Sequence, residues 1–336
     1  METAANGVLR VRVPAKINLH LAVGPRRPDG YHDVVTVLQS VTLHDTLLLS
    51  LDEGAHAAHP AARARMRVGL TLDGGAGAAG VPADGDNLVL VAARRLMAHL
   101  GIGGDRTPDA GVAAPGDGPW SRLHLTKRIP VAAGMAGGSA DAAAALVGLN
   151  RLWGAGLGTP ELCGVAALVG SDVPFCVLGG TALATGTGTS VAQVLTRSRT
   201  HWVVGIDREP LSTAAVYATF DTLEPPGSSS PDDVLQALRT GDIEELARAL
   251  RNDLEPAAIA LRPALATRRD ALLEAGALAA MVSGSGPTML GLARDADHAA
   301  SVADRVRDRF DAVEVVAAPA GGPEIVAVPR AEAAPA

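Results

Sequence analysis

Residues 127–146 constrain this chain more than any other stretch. They open with Lys-Arg-Ile-Pro-Val-Ala-Ala-Gly-Met-Ala-Gly-Gly-Ser-Ala-Asp and continue into an alanine-rich helix former. A short apolar strand carrying Leu123 and Leu125 precedes them, so the chain must pass from strand to helix through a loop of very small side chains. Small residues at Ala132, Ala133, Gly134, Ala136, Gly137 and Gly138 let backbone N–H groups approach an anion closely. A helix opening near Ser139 adds its unpaired amides and the positive end of its dipole. The spacing is not that of a Walker A loop, which needs Gly-Lys-Ser/Thr at the helix start. Nor is it a strand-borne dinucleotide fingerprint with its downstream acid. Taken alone, the loop fits either a flexible Gly/Ala connection or a phosphate cradle of another design.

The lysines narrow the choice. Of 29 basic residues only Lys16 and Lys127 are lysine, so arginine serves almost wherever a positive charge suffices. A retained lysine points to a site wanting a compact ammonium instead of a broad guanidinium fork. Lys127 opens the glycine loop. Lys16 sits in Pro14-Ala15-Lys16-Ile17-Asn18-Leu19, a period-2 strand with Lys16, Asn18 and His20 on one face and Ile17, Leu19 and Leu21 on the other. An edge strand with a solvated polar face would read the same way.

At 336 residues the chain can hold two domains, each with its own core. The formal charge of −7 gives no basic field for a polyanion, so a nucleic-acid role is unsupported and small anions must be held by local groups. Cys163 and Cys176 lie in apolar segments and read as buried thiols of a reducing compartment. With no signal-peptide pattern and no apolar run of about 18 residues, a cytoplasmic protein with no membrane span is expected. No oligomeric state follows from the sequence.

Strands are expected near 8–23, 34–51, 66–72 and 122–126, with helices from Asn87 to His99 and after Gly138. In the second half strands are expected near 176–185, 201–206, 279–282, 288–292 and 312–317. Helical patterns lie between them at 213–220, 231–239, 242–252, 262–275 and 295–309. Segments 53–65, 73–85, 103–119 and 225–231 read as loops or excursions.

Asp172 lies in Val169-Gly170-Ser171-Asp172-Val173-Pro174-Phe175, after an amphipathic helix and, on this reading, before a strand, with Pro174 preventing the helix from resuming. It is either a turn or N-cap acid or a carboxylate that needs a cationic partner. If Lys16 is that partner, the pair keeps Asp172 ionised and aims it at a substrate hydroxyl, as a general base requires. Arg27-Pro28-Asp29-Gly30-Tyr31-His32 carries an Asp-Gly hairpin signal followed by two side chains able to stack and hydrogen-bond. Ser283-Gly284-Ser285-Gly286-Pro287-Thr288 joins two apolar strands as a simple turn or as a second anion-binding nest facing the first loop.

Together these segments resemble the GHMP kinase superfamily over roughly Val11 to Val316. The resemblance is carried by Pro-Ala-Lys-Ile-Asn-Leu at 14–19, Arg-Pro-Asp-Gly-Tyr-His at 27–32, Asp-Asn-Leu-Val at 86–89, the glycine loop, Ser-Asp-Val-Pro at 171–174 and Ser-Gly-Ser-Gly-Pro-Thr at 283–288. The first two are similar to the branch acting on cytidine diphosphate-linked methylerythritol in the non-mevalonate isoprenoid route, and separate it from homoserine, mevalonate and galactose kinases. The resemblance implies an α+β, two-domain GHMP kinase fold with the active site between the domains. An N-terminal ribosomal-protein-S5-domain-2-like domain would cover 1–189 and a ferredoxin-like C-terminal domain 190–318, with 319–336 a disordered tail.

It further implies ATP as phosphoryl donor, Mg²⁺, and a small-molecule substrate that is a cytidine diphosphate derivative phosphorylated on its 2-hydroxyl. Lys16 and Asp172 match the catalytic pair. Asn18, Tyr31 and His32 match groups holding the cytidine diphosphate end, and Thr213 and Tyr217 fall where a polar contact and an aromatic ring meet the cytosine. Asn87 and Lys127 would lie by ATP, with further contacts along Pro130, Val131, Ala132, Ala133, Gly134, Met135, Ala136, Gly137, Gly138 and Ser139. The loop departs from the more glycine-rich family version at Ala132, Ala133 and Ala136. The rivals are another GHMP small-molecule kinase and a nucleotide-binding protein that kept the fold without catalysis; the second would be marked by loss of Lys16 or Asp172, and both are present.

Overall fold

The computed structural model describes residues 8–51, 66–74, 80–82, 84–102, 120–131, 133–197, 199–223 and 229–326. The expected loop at 103–119 and Ala132 of the glycine loop lie outside them.

Two long apolar strands, β1 (Val8–Arg26) and β2 (His32–Leu51), pair antiparallel across a turn at 27–31. The Asp-Gly signal sits there: Gly30 takes φ +86°, a left-handed conformation that needs no Cβ, and its N–H donates to Arg27 O at 3.0 Å. β3 (Arg67–Asp73) leads on to α1 (Leu88–His99), β4 (Trp120–Thr126) and α2 (Gly137–Leu152). After α3 (Thr159–Ala167) and α4 (Val173–Leu178) come β5 (Thr181–Gly186) and β6 (Ser190–Gln193). These strands build one sheet along the path β12-β1-β2-β4-β3, with β5 on β2, β6 on β5 and β8 on β1.

The second sheet has the order β11-β7-β10-β9, from β7 (Thr200–Ile206), β9 (Ala279–Val282), β10 (Met289–Ala293) and β11 (Ala312–Ala318). Between β7 and β9 lie α5 (Thr213–Phe220), α6 (Asp232–Thr240), α7 (Ile243–Ala249), the short β8 (Arg251–Asn252), α8 (Glu255–Leu261) and α9 (Ala264–Glu274). After β10 come α10 (Ala296–Val306) and, beyond β11, β12 (Glu324–Val326). Strand alternation divides the residues of this sheet: Trp202, Val204, Leu290 and Leu292 join the core cluster of the first sheet, whereas Val203 and Met289 pack with Leu265, Leu272 and Val302 of the helices.

α2 lies on β1 and β2 with Ala140 and Ala142–Ala145 fully buried. Its alanines let helix and sheet approach closely, and at Gly148 even a methyl group would stand 2.7 Å from Leu49 Cδ1. That close seat fixes where the glycine loop can emerge. No helix among the described residues is long and apolar enough to cross a membrane.

The structure corrects several of these readings. β1 is not an edge strand, because β12 and β2 flank it and Lys16, Asn18 and His20 are all buried. Pro174 does not stop a helix; it sits in the first turn of α4, where its missing N–H has no partner to lose, and the strand expected from 176 starts only at Thr181. The helix expected over 242–252 ends at Ala249 and gives way to β8, which pairs with His20 and Leu21 of β1. Residues 319–326 of the expected tail are ordered: Ala320 N–H donates to Ser40 O at 2.9 Å and β12 pairs with β1, so backbone pairing overrides an Ala/Pro/Gly composition. The boundary expected at residue 189 falls in the β5–β6 turn, and the passage between sheets lies between Gln193 and Thr200.

Candidate active site

The polar face of β1 supplies the centre. The Lys16 ammonium donates to Asn18 Oδ1 at 2.8 Å and to Gly134 O of the glycine loop at 3.2 Å, and lies 3.6 Å from Asp172 Oδ2 as an ion pair. Asn18 is itself pinned, since its Nδ2 donates to Thr36 Oγ1 at 2.8 Å and Thr36 donates to His20 O at 2.7 Å. Asp172 stands at the N-cap position of α4 but makes no capping hydrogen bond. Its carboxylate, 34% exposed against 7% for the Lys16 side chain, reaches open space while remaining paired.

The glycine loop and the Ser-Gly-Ser-Gly segment pack against one another. Gly134 takes φ +73° and touches Ser283 so closely that a Cβ there would overlap Ser283 O. Ser283 Oγ donates to Gly134 O at 3.1 Å, and Asn252 Nδ2 donates to Val282 O at 2.8 Å and Gly284 O at 2.7 Å. The second segment therefore does face the first loop, and it seals the rear of the Lys16 pocket: a Cβ on Gly284 would stand 3.2 Å from Asn18 Oδ1. Ala136 caps α2 in the left-handed region at φ +54°, the one non-glycine residue with positive φ among those described.

An aromatic group lies beside this pocket. The His32 and Tyr217 rings are 5.1 Å apart and tilted by 35°, with Phe220 edge-on to His32 at 6.1 Å. His32 Nε2 donates to Asp221 Oδ1 at 2.7 Å. Burial, and after it the nearby charge of Asp172, push the Tyr217 hydroxyl up to about 12. Thr213 Oγ1 lies 2.9 Å from Ser285 Oγ. Tyr31 stands apart on the hairpin turn, 68% exposed.

Two expected nucleotide contacts have other partners. Asn87 is the N-cap of α1: its Oδ1 accepts from Val89 N at 2.9 Å and its Nδ2 donates to Pro82 O at 2.6 Å. The Lys127 ammonium is buried under the loop between Asp45 and Asp141. Sequence reasoning does not single out Asp45, Asp141, Asp221 or Ser285. Asp45 and Asp141 carry a signal as lone acids in an apolar strand and an alanine helix, and Asp221 lies one helical turn after Tyr217.

Residues 87–180 match the family described as GHMP kinases N terminal domain, and residues 234–312 match GHMP kinases C terminal. A 4-diphosphocytidyl-2-C-methyl-D-erythritol kinase of Salinispora arenicola (strain CNS-205) is 47% identical over 316 residues, covering 92% of this chain and 90% of the relative. The like-named protein of Nocardia farcinica (strain IFM 10152) is 48% identical over 297 residues, 87% of either chain. A crystal structure of 4-(cytidine 5'-diphospho)-2C-methyl-D-erythritol kinase superposes with a TM-score of 0.70 at 29% identity, covering 93% of this chain and 100% of that one. A homoserine kinase from Cytophaga hutchinsonii gives a TM-score of 0.70 at 18% identity, a likeness of fold alone.

Proposed function

Because the chain belongs to the GHMP kinase family, among the 4-diphosphocytidyl-2-C-methyl-D-erythritol kinases, we propose that it transfers the γ-phosphoryl group of Mg·ATP to the 2-hydroxyl of 4-diphosphocytidyl-2-C-methyl-D-erythritol. The observation that carries this reading is the Lys16 ammonium shared between the glycine-loop carbonyl of Gly134, Asn18 and Asp172. It puts a partly exposed carboxylate at the mouth of a loop built to hold phosphate.

In this reading the amides from Gly134 to Ser139 and the N-terminus of α2 hold the phosphates. Asp172 accepts the proton of the attacking hydroxyl, and Lys16 holds it in place. Phosphoryl transfer gains mostly from positioning and charge stabilisation, so a fixed acid and a fixed cradle are what the chemistry needs. Mg²⁺ would enter with the nucleotide and would supply neutralisation of the phosphate charge. Tyr217 offers a face to the cytosine and His32 its edge, while exposed Tyr31 is free to fold over the bound base.

The test is an assay with Mg·ATP and a panel of 4-diphosphocytidyl-2-C-methyl-D-erythritol, homoserine, mevalonate and galactose. Only the first should be phosphorylated, with cytidine nucleotides as competitors. Turnover of another member of the panel with no inhibition by cytidine nucleotides would sink the assignment.

Two variants probe the pocket. In Lys16→Arg the broader guanidinium cannot occupy the buried space between Asn18, Gly134 and Asp172, so kcat should fall roughly 10- to 100-fold although the charge is kept. Unchanged kcat would remove Lys16 from the mechanism. Tyr217→Ala should raise KM for the cytidine substrate about 5- to 100-fold, the worth of one base stack, with little change in KM for ATP. Equal weakening of both substrates would indicate a folding defect instead.

A further inference from the structure

The β2–β4 ladder ends at Thr46 opposite Thr126, which leaves Asp45 and Lys127 facing one another just beyond it. There they meet Asp141 of α2, and all three side chains are buried. Asp45 is saturated with donors: its Oδ2 takes the Lys127 ammonium, and its Oδ1 accepts from Arg128 N at 2.5 Å and Ile129 N at 2.9 Å. Asp141 Oδ2 accepts from Lys127 at 2.7 Å, and among the described residues its buried Oδ1 has no hydrogen-bond partner.

Two carboxylates and one ammonium leave an excess negative charge in a dry interior, a state that burial strongly disfavours. The donors decide which acid stays charged, because a carboxylate accepting two backbone N–H bonds and an ammonium is stabilised as the anion. The proton therefore belongs on Asp141. Burial pushes its carboxyl well above the usual range, the Lys127 ammonium opposing that and the Asp45 carboxylate adding to it.

This triad grips both ends of the glycine loop. Asp45 holds the loop's entry through the N–H groups of residues 128 and 129. Lys127 reaches under its exit, where a Cβ on Gly137, the first residue of α2, would stand 3.2 Å from Nζ. Between these ends Ala136 keeps a left-handed backbone that an L side chain retains only when its surroundings hold it there. We propose that Asp45, acting through Lys127 and the backbone of residues 128–129, is a positioning residue that aims the glycine loop at the nucleotide phosphates, with Asp141 as its neutral partner on α2. The inference rests on the reading of the loop as an ATP site.

The test compares variants by calorimetric titration with Mg·ATP, by steady-state KM and kcat, and by thermal midpoint. Asp45→Asn leaves the ammonium without a counter-charge and should lose thermal stability. Adding Lys127→Met removes the stranded charge, so Asp45→Asn/Lys127→Met should regain stability over the single variant. That double variant should nonetheless bind ATP about 10- to 100-fold more weakly and turn over more slowly, with the KM for the cytidine substrate within about threefold of wild type, because the loop is folded but no longer aimed. Asp141→Asn, which offers the ammonium the same oxygen without a charge, should weaken ATP binding far less than Asp45→Asn.

Wild-type ATP affinity in the double variant would overturn the positioning role. So would a double variant no more stable than Asp45→Asn, since Lys127 would then not be what Asp45 balances. Equal losses in Asp141→Asn and Asp45→Asn would overturn the assignment of the proton. A wild-type protein that binds no ATP would refute the functional reading itself, an outcome separate from all of these.

Discussion

Asp172→Asn is expected to lower kcat by roughly 10²–10⁴ while leaving the fold and the affinity for ATP close to wild type. Its carboxylate makes no helix-capping hydrogen bond, and its ion-pair partner among the described residues is Lys16 at 3.6 Å, so the variant should keep the fold. Asparagine keeps the shape and can still accept from the ammonium, but it cannot take a proton from an attacking hydroxyl. The charge is felt locally all the same, since Asp172 contributes to the raised Tyr217 hydroxyl and, after burial, to the raised Cys176 thiol. Single-turnover and steady-state kinetics with the cytidine substrate would check this. A variant retaining more than about half of wild-type turnover would remove Asp172 from the role of base.

The second large effect is expected at Gly134. Gly134→Ala must accept both the left-handed backbone and an overlap with Ser283 O, a backbone atom that cannot swing aside. Strained φ costs about 1–2 kcal/mol and overpacking about 1–3 kcal/mol, so urea unfolding should show a loss of about 2–5 kcal/mol. Binding of ATP should weaken with it, because the loop is pushed off the Ser-Gly-Ser-Gly segment. Gly154→Ala is the control: φ is +62° there too, but a methyl group would meet nothing within 4 Å. Equal losses in the two variants would show that the loop is not docked on residues 283–286.

Much of this site is legible in the amino-acid sequence. The two retained lysines of an arginine-rich chain mark the two buried ammonium sites, and the Asp29-Gly30 signal marks the turn that carries Tyr31 and His32. Glycine at 134 suits the positive φ found there, whereas the positive φ of Ala136 has no signal in the sequence. Other features mislead because tertiary contacts override local rules. Pro174 has the look of a stop and is a helix start, and the Ala/Pro-rich stretch after residue 318 has the composition of a disordered tail but finds a strand to pair with. Asn87 and Lys127, which the family resemblance places by ATP, each have partners within the protein that no local pattern announces.

The sequence by itself determined local conformation and chemical inventory: which stretches alternate, where the backbone must turn, where an ammonium is wanted and where amides can crowd an anion. Those properties depend on neighbours along the chain, whose spacing the sequence states directly. Pairing was decided only by the tertiary structure. Lys127 meets Asp45 across 82 positions, Gly134 meets Ser283 across 149 and His32 meets Asp221 across 189. A periodic pattern says which face of an element a side chain occupies. Which distant face it meets is set by how two sheets and their helices bury their apolar surfaces together, and on that packing depends whether Lys127 serves a ligand or holds the loop that does.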